Sequence, residues 1–405
     1  GCGMAAAEEE AFAAAANVQV NGDLALYLLQ AGALNTGEEV TDEQLDILEN
    51  LIRLVNGCTF YVEADEKIHR AKVMLNEKEL FLMETNGQVL LSSMLPNYGL
   101  FLPETDESPK DAEMEAAGER LENGMAALLQ EMNNTLESHL VEAAEEDFLV
   151  FALGGPLSFN HRAAYAFTVG EMADAMEMFL GRAVPLLQTY LAEIGIPEEA
   201  VQLNWNVNRP ADEEKLSTPL QLTLYRQKTA DGFLPQYLFG ELVGNMPLNT
   251  TLQVAVVGDR GEMALLSDAY EGDGNAAVTA AWESGETEEE TYFTAEALVT
   301  GTPIRVDVRK CDSRDGVKEA VAKLYVKSED APLAVLNAAL MPVDEIAPVE
   351  QGEKQLLNLA EMGEDGSQAL SMDMQMGLNG LLVNAIQAAP AEMQFLLNML
   401  TVPAE

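Results

Sequence analysis

Lysine and arginine are scarce in this sequence: 22 of them stand against 68 aspartates and glutamates, for a formal net charge of -46 over 405 residues. Nucleic acid and anionic lipid headgroups are held through Lys/Arg patches, so this balance excludes a DNA- or RNA-binding role. The acidic surplus reads as a solubility device, because like charges keep exposed proteins apart. Long apolar runs are also lacking. No stretch approaches the roughly 18 apolar residues that a membrane-spanning helix requires. There is no GxxxxGK(S/T) loop, no GxGxxG after a predicted strand, no CxxC pair and no GxSxG elbow. Nucleotide binding, a structural zinc and elbow-type covalent catalysis are therefore without motif support. No catalytic residue, cofactor or metal is assigned.

Histidine and tryptophan are nearly absent. The three histidines are His69, His139 and His161. His161, at an apparent loop-to-strand step, reads as a strand-edge or surface histidine in preference to a general base. Trp205 and Trp282 are the only tryptophans, few for the aromatic platforms of sugar-cleaving sites. The many carboxylates permit paired-acid glycoside chemistry, but no pair stands out. Asp268–Asp273 comes nearest to a calcium loop, yet Tyr270 and Gly272 occupy positions that need oxygen ligands.

Among what is present, the start of the chain is most informative. Cys2 lies between two glycines and is followed by an Ala/Glu-rich stretch. A Gly-Cys step followed by a small-residue tether resembles the mature end of a bacterial lipoprotein, in which the cysteine accepts lipid. Gly1 is either the native small residue before that cysteine or a remnant of tag removal. No apolar signal segment precedes it, and any such segment is expected to have been removed already. Of the three cysteines, assigning Cys2 to lipid leaves Cys58 and Cys311 either as one disulfide or as two buried free thiols, the second being favoured. A disulfide closing so long a loop would add up to roughly 5 kcal/mol in the chain-entropy model.

The element pattern predicts an α+β fold: antiparallel meander sheets, with a curved half-barrel as one form they can take, and amphipathic helices packed on one face. Residues 1–16 are expected to be the tether. Residues 17–165 read as a helix-plus-meander unit, and residues 166–405 as a helix, a larger antiparallel sheet and C-terminal helices. Thr41 with Gln44, and Thr168 with Glu171, form capping boxes ahead of helices. Leu45, Leu48, Ile52 and Val55 share a helical face. Asn86-Gly87 is a hairpin turn. Residues 17–35 fit either strand or helix, and residues 333–340 read as strand although their alanines permit helix. Ser108-Pro109 opens a long helix, and Pro185 either kinks a helix or begins a new one.

Met172, Met176 and Phe179, with Met372 and Met376, are candidates to line a plastic apolar cavity. Ordinary core packing is the commoner role for such stripes.

With a Cys-anchored tether followed by helices on strand meanders, the chain resembles uncharacterised secreted lipoproteins of gut Firmicutes. The likeness is strongest from Gly57-Cys58-Thr59-Phe60 to Leu90–Tyr98. More distantly, the layout is similar to LolA/LppX-like lipoprotein carriers, which implies a curved half-barrel sheltering apolar ligand against helices. No site residues carry over from either. The expectation is a non-enzymatic lipoprotein at the extracellular face of the bacterial membrane, held there by Cys2, binding a lipid, another apolar or amphiphilic ligand, or an envelope partner. A structural or adhesive acidic surface protein is the alternative, and a glycan or cell-wall hydrolase the second. The sequence assigns no oligomeric state.

Overall fold

The computed structural model describes residues 11–37, 39–102, 111–194, 207, 209–230, 232–246, 248–267, 276–287, 290–312, 316–328, 330–358 and 361–401. Cys2, Ser108-Pro109, Trp205 and the loop 268–275 lie outside them. In chain order the first elements are β1 (Phe12–Val20), α1 (Gly22–Thr36), α2 (Asp42–Gly57), β2 (Cys58–Ala64), β3 (Ile68–Leu75), β4 (Lys78–Asn86), β5 (Val89–Ser92) and β6 (Tyr98–Phe101). Next come α3 (Asp111–Ser138), β7 (Leu140–Ala144), β8 (Phe148–Ala152), β9 (Gly155–Phe159), β10 (His161–Thr168), α4 (Val169–Glu193) and α5 (Glu213–Leu216). Strands β11 (Pro219–Thr229), β12 (Gly232–Met246), β13 (Leu248–Val257), β14 (Arg260–Ser267) and β15 (Ala276–Glu286) follow. The chain closes with β16 (Glu290–Val299), β17 (Thr302–Asp312), β18 (Lys318–Val326), β19 (Ala334–Pro342), β20 (Gln355–Asn358), α6 (Glu364–Ala388) and α7 (Pro390–Thr401).

The fold is α+β and mostly antiparallel, and its sheet does not close into a barrel. The chain forms two compact units. Unit 1 takes Gly1–Thr105, Gly285–Thr294 and Ile304–Glu405; unit 2 takes Asp106–Ser284 and Ala295–Pro303.

In unit 1 the strands pair in the order β17, β18, β19, β1, β2, β3, β4, β5, β6, β20. The last pair, β20 with β6, is parallel. Residues 12–16, expected in the tether, instead begin β1, which sits between β19 and β2. Alanine has a weak strand preference, but here two flanking strands pair its backbone on both sides and override it. The ambiguous segment after it divides at Asn21. There the strand ends, and the Asn21 side chain accepts from the Leu24 amide to cap α1. Residues 334–342 are strand, paired on both edges.

In unit 2 the order is β7, β10, β11, β12, β13, β14, β15. The β8–β9 hairpin belongs to a core of Ala152, Phe159, Phe239 and Ala255. Tyr225 lies edge-on to Phe148 at 5.6 Å and tilted against Phe239 at 5.8 Å. Helix α4 runs unbroken through Pro185. It packs on α3 where Gly124 meets Leu186, with Arg182–Glu131 and Arg120–Glu193 ion pairs across the two helices.

The box that starts α4 forms as expected: the Glu171 amide donates to Thr168 Oγ1 at 3.2 Å, and the Thr168 amide to Glu171 Oε2 at 2.7 Å. The bonds from Thr168 hold the Glu171 carboxyl below its usual range. Thr168→Ala is expected to cost about 1 kcal/mol, seen as a lower urea midpoint at unchanged slope.

Candidate apolar binding face

The register of unit 1 stacks its apolar side chains on one side of the sheet. Ala14 lies opposite both Val62 and Leu340, and Ala16 opposite both Phe60 and Ala338. Going outward, Phe60 pairs with Val73 and Val62 with Ala71; Val73 then pairs with Phe81, and Ala71 with Met83. In the other direction Ala338 pairs with Ala320 and Leu336 with Ala322, which faces Val308. Successive strand residues alternate sides, so seven strands contribute to one apolar surface. Its charged and titratable residues stand toward the ends of the strands, at Lys310, Asp312 and Lys318 on one margin and at His69 and Lys78 on the other.

The residues between these point to the other side. That side is mixed: Asn17, Asn337, Glu63, Arg70, Lys72, Glu84, Lys323, Asp307 and Arg309 stand there beside Tyr61, Leu82, Val335 and Met341. A sheet side that is mainly apolar must be covered, and here the cover is partial. Helix α2 buries Ile52 and lays Leu54 toward a cluster of Leu75, Ala388 and Ala389, joined by Cys58 and by Met393 of α7. That end is closed. Beyond it, Phe60 is 51% exposed and Val62 46%. Phe12, Met83 and Leu336 are also exposed. At ~4.8 Å per strand step the face is roughly 29 Å wide. Exposed apolar side chains grouped on one such face often mark a binding site.

The mixed side is held by a different kind of contact. Arg70 pairs with Glu84 at 2.5 Å and with Glu63 at 2.5 Å, and also donates to the Ala347 carbonyl. Glu84 is wholly buried and accepts from the Val349 amide at 2.9 Å. The stretch between β19 and β20 is thereby bound to this side of the sheet. Beside it lies a cleft of about 950 Å³ lined by Asp65, Glu66, Lys67, Asp344, Glu345 and neighbours. Its Asp65 carboxylate accepts from the amides of Lys67 and Ile68, and those bonds hold its pKa down. Asp65 builds its turn and is poorly suited to act as a general acid.

The helical residues singled out from sequence fall in separate units. Met172, Met176 and Phe179 are on α4 in unit 2, with Met176 exposed and the other two half-buried. Met372 and Met376 are on α6 in unit 1 and face outward, Met372 60% exposed. Helix α6 turns its small residues inward instead. Gly377 sits against the Met94 backbone, and Asp373, fully buried, accepts from the Asn97 amide and side chain and from the Tyr98 amide. Lys354 ties the same turn, donating to the carbonyls of Ser92 and Leu95; burial lowers its pKa, partly offset by Asp373.

Cys58 and Cys311 are half-buried free thiols. Their strands β2 and β17 are four steps apart through β1, β19 and β18. That is roughly 19 Å, far beyond the ~7 Å Cα limit for a disulfide. Burial raises the Cys58 pKa. Among the described residues no group of three or more His, Cys, Asp or Glu side chains is placed to hold a metal ion, and no helix is long and apolar enough to cross a membrane.

Sequence reasoning missed the Arg70–Glu84 pair and Asp373. One signal for Asp373 was available: it is the only charge between Gly366 and Ala391 in an otherwise charge-rich chain. Compared with protein-family models, curated proteins and solved structures, the chain matches none.

Proposed function

We propose that this chain is a non-enzymatic lipoprotein of the bacterial cell surface, anchored through lipid on Cys2, which takes an apolar or amphiphilic ligand on the open strand face of unit 1. The observation that carries the reading is the exposure of Phe60 and Val62 within a seven-strand apolar face that, among the described residues, helices close at one end. Such a face offers non-directional burial to a flexible apolar chain and makes few demands on its length. The Gly1-Cys2-Gly3 step followed by an Ala/Glu-rich stretch supports Cys2 as the point of attachment.

The test uses protein isolated from its own host. Organic extraction followed by mass spectrometry is expected to release a stoichiometric amphiphile and to find Cys2 acylated. Phe60→Glu with Val62→Glu places two charges on the open face. Because both residues are exposed, the change in stability is expected to stay within about 1 kcal/mol, while extracted ligand falls severalfold. Unacylated Cys2 together with no ligand, or ligand at the same level in the double variant, would overturn the reading. The first outcome would favour a structural or adhesive surface protein.

A further inference from the structure

In unit 2, His161 and Arg226 stand directly opposite one another on β10 and β11. His161 is 8% exposed. Its Nδ1 and the Nε of Arg226 are both buried without a hydrogen-bond partner among the described residues. One ring covers both groups: Phe233 lies edge-on to the His161 imidazole at 4.8 Å, and the Arg226 guanidinium carbon sits 3.9 Å from the Phe233 centroid. Other cations nearby have their own carboxylates, Lys228 with Glu145 and Arg162 with Glu142. Among the described residues, Arg226 reaches one only indirectly. Its Nη2 contacts the Tyr165 hydroxyl at 3.5 Å, and that hydroxyl donates to Glu137 at 3.1 Å. A buried Nε without an acceptor is costly, and buried polar atoms of this kind call for an ion or a water to satisfy them.

We infer that His161 and Arg226 form a site for one oxyanion, a carboxylate or a phosphate, with Phe233 as its cover. The free Nε edge of a guanidinium matches two oxygens of such a group. His161 supplies a third donor from Nδ1 in the corresponding tautomer. Phe233 is 39% exposed and stands second in β12, just after the β11–β12 turn; rotation of this one side chain uncovers the pair. The chain's large negative charge does not forbid this, since the Debye length at physiological salt is about 8 Å and remote carboxylates are screened. Among the described residues the local charges are Arg226, Lys228, Arg162, Glu137, Glu142 and Glu145. His161 is held neutral near pH 7 by burial first, then by Arg226 and Lys228. A bound anion offsets the repulsion from Arg226 and Lys228 and so favours the imidazolium.

The experiment follows the three imidazoles of the full chain by NMR in chloride buffer. Acetate is titrated in one series and inorganic phosphate in another, at constant ionic strength, with His161→Gln assigning the resonance. The expected result is a saturable shift of His161 alone, with a raised pKa at saturation. Arg226→Lys, which keeps the charge but not the planar edge, is expected to weaken the response about tenfold. Phe233→Ala is expected to keep it saturable and to speed exchange. Saturation with acetate only marks a carboxylate site, with phosphate only a phosphate site, and with both a general oxyanion site. A shift that is linear in concentration, shared by all three histidines, or unchanged in Arg226→Lys would overturn the inference.

Discussion

Arg70→Met is expected to lower the unfolding free energy of unit 1 by about 3–5 kcal/mol, the cost of leaving a buried charge without its partner. Glu84 is wholly buried, and Arg70 supplies its only ion pair among the described residues. Without Arg70 the carboxylate keeps one backbone donor, the Val349 amide. The same substitution removes the tie to the Ala347 carbonyl, so amide exchange at Val349 should accelerate along with the loss of stability. Adding Glu84→Leu to Arg70→Met should recover most of the loss, since a well-packed apolar pair in place of a buried ion pair is often neutral or stabilising. Urea unfolding of the two variants checks this. If the single variant is as stable as the wild type, the pair does not hold the 343–354 stretch in place.

Two glycines of α6 should respond to alanine with opposite signs. At Gly377 a Cβ would overlap the carbonyl group of Met94, a backbone atom that cannot rotate away. Moving the helix would also strain the bonds of Asp373 to Asn97 and Tyr98. Alanine gains about 1 kcal/mol in helix propensity over glycine, and overpacking costs about 1–3 kcal/mol or more. The backbone clash puts Gly377→Ala at the upper end, for a net loss of about 2 kcal/mol or more. Gly380, three residues on, meets nothing within 4 Å. There only the propensity term remains, and Gly380→Ala should stabilise by about 0.5–1 kcal/mol. Thermal unfolding of the two variants side by side separates contact from propensity; equal effects would mean that α6 does not approach the Met94 turn.

Several elements were legible because their causes are short-range. The Thr41 and Thr168 boxes announce α2 and α4, since a cap and its partner lie three residues apart. Asn86-Gly87 announces the β4–β5 hairpin because its turn needs positive φ, which Gly87 adopts. Pro185 was harder to read. A proline removes one donor and strains one turn, and α4 continues through it with its flanks packed on α3. The short β20 carried no signal at all, because it is a strand only through its parallel pairing with β6, more than 250 residues earlier.

The candidate site was legible in its parts and not in its assembly. Ala71 and Val73 flank Lys72 and so show an alternation, whereas Phe60-Tyr61-Val62 is a continuous apolar run that marks a strand but not its facing side. Their sharing of one face with Leu336 and Ala320 depends on the pairing of β1 with β19, across more than 300 residues. Met372 and Met376 illustrate the converse. Their spacing marks a helical stripe, but the close approach at Gly377 decides that a different side of α6 faces inward.

The sequence by itself determined the α+β class, the capped starts of α2 and α4, the Asn86-Gly87 turn, the acidic charge balance, and the lack of nucleotide, zinc and hydrolase motifs. Each follows from composition or from residues a few positions apart. Tertiary structure alone decided that the alanine run after Phe12 is a central strand, that Cys58 and Cys311 stand four strands apart, and that one side of the unit 1 sheet is apolar and partly open. The physical reason is that strand order and register are set by which distant strands bury each other's side chains best, a comparison among alternatives that no local pattern encodes.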